Sequence, residues 1–313
     1  NQDSTRVPTI AFRVEGTNSG DIARAMDAYG IAIRFGDFHS RRLIEDLGDD
    51  LFARLMVQSP AMTRQLYTAA TDCLLALHKA PPPDLPLCDA DWLTEAAQMV
   101  FDWYAPDSGA AAEFNALFTP LARALDNSPR VIILRDYHAE NLLWRPERTG
   151  SARVGLLDFQ DALQGHPAYD LVSILQDARR DVTPQIETAM IAHYIRHSGQ
   201  EDAAFRSAYA LLGLQRNLRI LGIFARLCLR DGKAHYVDLI PRVWNHLQNN
   251  LRHPALAPVA HSIEGILPCP TPDFLEQLKR AAERTLDLVH FVESIEVPIL
   301  VISYEKALSD PDC

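Results

Sequence analysis

Apolar residues recur at helical spacing from Leu51 to Lys79, from Ala90 to Tyr104, from Ala110 to Asp126 and, almost without interruption, from Ala168 to Asn250. A helix brings every third or fourth residue back to one face, so these stretches predict amphipathic or buried helices. The period changes between them. Arg130 to Leu134 (RVIIL), Asn141 to Trp144 and Val154 to Phe159 (VGLLDF) are short apolar runs bounded by polar turn residues, and they predict three strands joined by loops. The prolines of Ala80 to Leu87 (APPPDLPL) exclude a helix and predict a stiff linker. Those between Pro254 and Pro272 predict repeated breaks, after which a helix over Asp273 to Ser294 and a strand over Pro298 to Tyr304 resume.

Near the amino terminus the pattern is strand, helix, strand, helix. Thr9 to Glu15 alternates, Gly16 to Gly20 (GTNSG) is a turn with Ser19 as helix cap, and Gly30 closes a helix over Asp21 to Tyr29. Ile31 to Phe35 reads as a strand and His39 to Leu47 as a helix. The expected fold class is therefore α+β: a mostly helical body with a small β-hairpin, preceded by a βαβ-type appendage.

Composition narrows the chemistry. The chain has 313 residues, 30 Lys and Arg against 41 Asp and Glu, and a net charge of −11. That balance disfavours nucleic acid as a partner, since phosphate backbones demand a basic face. No stretch is long and apolar enough to predict a membrane span, and the polar start, Asn1 to Thr5, has no apolar signal region. Asn1 in place of Met is expected of a fragment or a processed product. The five cysteines, Cys73, Cys88, Cys228, Cys269 and Cys313, are odd in number and lack C-x-x-C spacing. They predict free thiols in a reducing cytoplasm rather than a disulfide framework or a zinc site.

The candidate chemistry lies in Ile133 to Phe159. Asp136 is followed after five residues by Asn141, and a later apolar strand ends in Leu157-Asp158-Phe159. Phosphoryl transfer from ATP needs a carboxylate to orient the acceptor hydroxyl and take its proton. It also needs an amide oxygen and a second carboxylate to hold Mg²⁺ against the phosphates. The kinase pattern is Asp-x-x-x-x-Asn, a strand, then Asp-Phe. It makes Asp136 the expected base and Asn141 and Asp158 the expected metal ligands. Asp158 at the end of an apolar run predicts a buried carboxylate whose desolvation a metal or a hydrogen-bond network must offset. His138 is expected in the same loop, near phosphate or the metal's surroundings. Asp170, at the start of the next helix, is expected to accept backbone N–H groups of the catalytic loop. Taken singly, Asp136, Asn141 and Asp158 also suit turns.

The run LRDYHAENLLW, followed by GLLDFQDALQGHPAYDLVSILQDARRDV, resembles the motif of aminoglycoside phosphotransferases and choline kinases. Those carry His-Gly-Asp where this chain has Leu134-Arg135-Asp136. Leu214 to Leu247, the following HPALAPV and IEDLGDDLFARL (Ile44 to Leu55) are similar to the kinases that phosphorylate the anomeric hydroxyl of N-acetylmuramate and N-acetylglucosamine in cell-wall recycling. The resemblance implies a protein-kinase-like carboxy-terminal lobe, ATP and Mg²⁺ as cofactors, a small-molecule sugar acceptor, and adenine contacts from the backbone of Glu45, Asp46 and Leu47. Arg216, Asn217 and Arg219 interrupt an apolar helix (QRNLRILGIFARL) and are expected either to bind an acetamido or carboxylate group or to form surface salt bridges.

No lysine and no glycine-rich loop stand before Leu43, the parts that would cover and pair with the ATP phosphates. Weak or absent turnover is the expectation. The first 47 residues instead resemble the carboxy-terminal part of class V pyridoxal-phosphate aminotransferases and cysteine desulfurases, without a Schiff-base lysine. Leu286 to Cys313 resembles a sulfotransferase fragment. These likenesses predict a fusion with divisions at 1–42, 43–278 and 279–313. Two alternatives stay open: a nucleotide- or sugar-binding protein without turnover, and a pyridoxal-phosphate protein derived from the first segment.

Overall fold

One helix organises the molecule. In the computed structural model, which describes residues 49–106 and 109–294 (side chains as far as Leu288), the helix over Asp202–Leu229 is buried from Phe205 to Cys228 on nearly every face. Its 28 residues span about 42 Å, and the Glu201 carboxylate caps it by accepting from Ala203 N at 3.0 Å and Ala204 N at 2.7 Å. A helix apolar all round must be wrapped by others.

In chain order the elements are α1 (Phe52–Gln58), α2 (Thr63–Leu77), α3 (Ala90–Ala97), α4 (Met99–Trp103), α5 (Ala111–Arg123), β1 (Val131–Ile133), β2 (Leu142–Trp144), β3 (Val154–Leu156), β4 (Leu163–Gly165), α6 (Ala168–Leu175), α7 (Pro184–Ser198), α8 (Asp202–Leu229), α9 (Ile240–Leu251), α10 (Ala257–Ile266) and α11 (Pro272–Ser294). Helices α4, α6, α9 and α11 pack on α8, and α2 packs on α7. The strands form two antiparallel pairs. β2 and β3 make the expected hairpin, with Leu142 opposite Leu156. β1 pairs with β4 in the register Val131–Gly165, Ile133–Leu163.

Several expectations need adjustment. β4 was not legible as a strand. The helical stretch expected from Leu51 to Lys79 is divided at Pro60, which opens a 3₁₀ turn between α1 and α2. The proline-rich stretch from Pro254 contains a helix after all: Pro258 lies in the first turn of α10, where a backbone N–H has no intrahelical partner to lose. α11 runs on through residue 278 and buries Leu278 and Ala282. The elements expected at 9–47 and 298–304 lie outside the described residues.

Polar residues pin the helices to one another. The Gln176 side chain donates to Asn250 Oδ1 at 3.0 Å, and its own carbonyl accepts from Asn217 Nδ2 at 2.8 Å and Asn250 Nδ2 at 2.9 Å. Backbones approach closely where α8 crosses α4: a Cβ on Gly222 would lie 2.2 Å from the carbonyl carbon and oxygen of Met99. Gly222→Ala is therefore expected to cost about 1–3 kcal/mol through forced separation of the two helices, read as a lowered thermal midpoint. An unchanged midpoint would show that the crossing yields freely.

Candidate active site

The site is built where β1 leaves its ladder. Past Ile133 the chain turns sharply at Arg135, one of two non-glycine residues with positive φ among those described (68°); the other is Asp158 (56°). For a side chain other than Gly, Asn or Asp this region costs about 1 kcal/mol or more, and it persists only when its surroundings enforce it. They do so here. The buried carboxylate of Asp170, on α6, accepts from Leu134 N at 2.6 Å and Arg135 N at 3.0 Å. Ser173 Oγ and Arg216 Nη1 donate to the Arg135 carbonyl at 3.2 and 3.4 Å. Asp170 thus takes the backbone-holding place that its position suggested. Burial raises its pKa to about 7, with the two N–H donors pulling the other way.

The next residues form a tight loop. Asp136 is half-buried. Its backbone N–H donates to Leu134 O at 2.8 Å, and its carbonyl accepts from His138 N and from Asn141 Nδ2, both at 3.0 Å. Tyr137 is buried and donates to Ala70 O of α2 at 2.9 Å, which anchors the loop from beneath. His138 is buried, and its Nε2 lies 3.4 Å from Asn141 Nδ2. An amide N–H pointing at Nε2 places the ring proton on Nδ1, which is buried without a partner. Burial first, then the nearby Arg179 guanidinium, lower the pKa of this ring, so His138 brings no positive charge to the loop at neutral pH.

Asn141 and Asp158 are brought to one end of the β2–β3 hairpin. Beyond the Leu142–Leu156 pair, Leu157 N donates to Asn141 O at 3.0 Å, and Asp158 follows. The expectation that Asp158 is buried is corrected. Asp158 is exposed, as are Leu157 and Phe159, because the positive φ at 158 turns the chain out of the strand. Its carboxylate accepts from Gln160 Nε2 at 2.7 Å and meets no desolvation penalty. The donor set still suits Mg²⁺. Asn141 uses its amide nitrogen within the loop, to Asp136 O at 3.0 Å, so that Oδ1 is the atom with which it could meet a cation. One carboxylate and one amide oxygen match a cation that is otherwise held by water and substrate phosphate.

The other expected residues divide. Arg216 is buried against the loop, with Nε lacking a partner, and Arg219 is half-buried one turn on; both charges act on the buried Tyr169 hydroxyl beside Asp170. Asn217 faces elsewhere. It is fully buried, and its Nδ2 donates to Gln176 Oε1 and to Gly213 O at 2.7 Å, so the structure gives it a packing place rather than one open to a ligand. Glu45, Asp46 and Leu47 lie outside the described residues.

Sequence reasoning missed a charged cluster flanking the loop. Asp177, buried after α6, accepts from Arg180 Nε at 3.0 Å; Arg179 Nε meets Glu140 at 3.2 Å, and Arg180 Nη1 donates to Ala53 O at 3.4 Å. The i,i+3 spacing of Asp177 and Arg180 was its one visible signal.

A loop with a half-buried aspartate, a hairpin that sets an amide beside an exposed aspartate, and a helical body around them define a kinase-like phosphotransferase fold. The chain belongs to the phosphotransferase enzyme family, whose pattern matches residues 25–209. The chain is 40% identical over 277 residues to an N-acetylmuramate/N-acetylglucosamine kinase of Caulobacter vibrioides, covering 83% of this chain and 73% of that one. It is 32% identical over 233 residues to the kinase of the same name from Pseudomonas aeruginosa, covering 69% and 66%. In fold it resembles a choline/ethanolamine kinase family protein of Mesorhizobium loti, with a TM-score of 0.50 at 12% identity over 79% of this chain and 84% of that one. Among the described residues no helix is long and apolar enough to cross a membrane.

Proposed function

We propose that the chain transfers the γ-phosphate of ATP to a hydroxyl of an amino sugar of the N-acetylmuramate or N-acetylglucosamine type. The observation that carries this reading is the fixed loop from Arg135 to Asn141. It presents the Asp136 carboxylate while committing that residue's backbone groups to the loop itself. Asp136 orients the acceptor hydroxyl and takes its proton, the role the chemistry requires of a carboxylate there. Asn141 and Asp158 hold Mg²⁺, which when bound neutralises charge on the transferred phosphate. His138, uncharged, packs beneath Asn141 and fixes its amide. The sugar's chemistry enters from the relatives' names, and Arg216 and Arg219 are the candidates for recognising it. The adenine contacts from Glu45 to Leu47 belong to the same proposal, whereas the division expected at 278 falls inside α11 and the family match runs across the one expected at 42.

Calorimetry with ATP, with and without Mg²⁺, tests the nucleotide half; a phosphate-transfer assay on both sugars tests the acceptor half. Metal-dependent ATP binding is expected, weakened about tenfold or more in Asp158→Ala through loss of one charged ligand in a solvated site. Phosphorylated sugar is expected with the unaltered chain only at a rate well below the ~1–100 s⁻¹ usual for kinases, since no lysine or glycine-rich loop precedes Leu43. Metal-dependent binding with no product from either sugar would reduce the reading to nucleotide binding, and binding indifferent to Asp158 would remove the metal assignment.

A further inference from the structure

The Arg135 side chain is not used by the roles above, yet it spans the site. Its guanidinium lies over the Trp92 ring, 5.4 Å from the centroid, and Nη1 donates to Asp161 O at 3.3 Å. Trp92 in turn meets Tyr169 edge-on, at 6.4 Å between centroids, next to Asp170. Asp161 belongs to the turn that carries Asp158 and leads into β4, a turn closed by Ala162 N donating to Phe159 O at 3.2 Å. β1 and β4 are paired only as far as Ile133 and Leu163. Beyond that rung the two backbones part, one toward Asp136 and the other back toward Asp158, and the Arg135 guanidinium bridges the gap. The backbone at Arg135 is itself fixed by Asp170, Ser173 and Arg216, so the bridge has a rigid foot. An arginine at φ 68° is a costly choice where glycine would be relaxed. A side chain retained there against its backbone preference calls for a compensating contact, and the two contacts to Trp92 and Asp161 supply one.

We infer that Arg135 is a positioning residue, a strut that holds the turn carrying Asp158 at a set distance from the loop carrying Asp136. The inference rests on the phosphotransfer reading only in that those two carboxylates are the groups it spaces. A phosphate held at one and a hydroxyl oriented at the other must meet in line, and a misplacement of about 1 Å costs on the order of a hundredfold.

Arg135→Gly and Arg135→Lys separate this role from packing. Glycine relaxes the backbone and removes the strut; lysine keeps a cation able to lie over Trp92 and donate to Asp161 O. Without any ligand, hydrogen exchange at Phe159 to Ala162 is expected to quicken about fivefold in Arg135→Gly, a local opening that leaves the helical body protected. Its thermal midpoint should hold or rise. In the transfer assay its kcat is expected to fall about tenfold and its Mg²⁺ requirement to rise about threefold, with acceptor KM within about twofold. Lysine should restore part of each. Unchanged exchange in Arg135→Gly would overturn the strut whatever the kinetics. A lowered midpoint with an unaltered Mg²⁺ response would leave Arg135 a packing residue, and a raised acceptor KM at constant kcat would make it a substrate contact. If the unaltered chain transfers no phosphate, the ligand-free exchange comparison still decides the strut, and the functional reading fails separately.

Discussion

Asp136→Asn lowers phosphoryl transfer by about 10²–10⁴-fold, the span typical of losing a positioned general base, and leaves the thermal midpoint nearly where it was. The two halves of this expectation come from the same geometry. The loop is held by backbone groups of Asp136, which pair with Leu134 O, His138 N and Asn141 Nδ2, and by Tyr137 and Asp170 on either side. The carboxylate itself carries none of those bonds. Asparagine preserves the shape and removes only the ability to take a proton. The fall should appear in kcat with acceptor KM little changed, since an interaction made mainly in the transition state is lost. Steady-state kinetics beside a thermal melt read both. Turnover within about threefold of the unaltered chain would remove Asp136 from the chemistry. A collapse of the midpoint would mean that the carboxylate is structural.

Asp170→Ala acts in the opposite order, through the fold first. It strands Leu134 N and Arg135 N in a buried site. Each unsatisfied donor costs about 1–3 kcal/mol, so a loss of about 2–4 kcal/mol in unfolding free energy is expected. The Arg216 guanidinium also loses an acidic neighbour. Turnover should fall about a hundredfold, because Asp136 rides on the backbone that Asp170 holds. The pH dependence has a definite sign. Burial raises the folded pKa of Asp170 to about 7 from a reference near 4. The folded state therefore binds the proton more tightly than the unfolded chain. That part of the stability is complete below about pH 4 and is lost as pH rises through about 7. The gap in midpoint between the unaltered protein and Asp170→Ala should narrow over the same interval. Melts at about pH 5, inside that window, and at about pH 8, above it, test it. A gap that widens with pH would show that the hydrogen bonds outweigh burial and keep Asp170 charged throughout.

Most of the helical body was legible because its determinants are local. Periodicity marked the stretches that hold α3, α5, α7 and α8, and in the structure side-chain caps open three of them: Asp89 accepts from Trp92 N at 2.9 Å, Thr183 from Ile186 N at 3.3 Å and Glu201 from Ala204 N at 2.7 Å. The β2–β3 hairpin was legible for the same reason, since its partners are close in sequence. β4 was not. Leu163-Gln164-Gly165 is too short to show a period, and it becomes a strand only because β1, some thirty residues earlier, lies alongside. α10 was hidden by prolines that count against a helix interior and not against its first turn.

The spacing of Asp136, Asn141 and Asp158, and the place of Asp170 at the start of a helix, were determined by the sequence alone, because a loop of five residues and a hairpin leave little freedom in where their ends fall. Tertiary structure decided the rest. It turned Asp158 outward, against the apolar character of Leu157 and Phe159, since one residue at φ 56° breaks the alternation that sequence reasoning assumes. It sent Asn217 into the amide cluster with Gln176 and Asn250, and drew its neighbour Arg216 to the loop that carries Asp136, since successive residues on a helix face directions about 100° apart and only the packing of α8 says what lies there. It also set the Arg135 guanidinium between Trp92 and Asp161, residues far apart along the chain, a contact that no local pattern encodes.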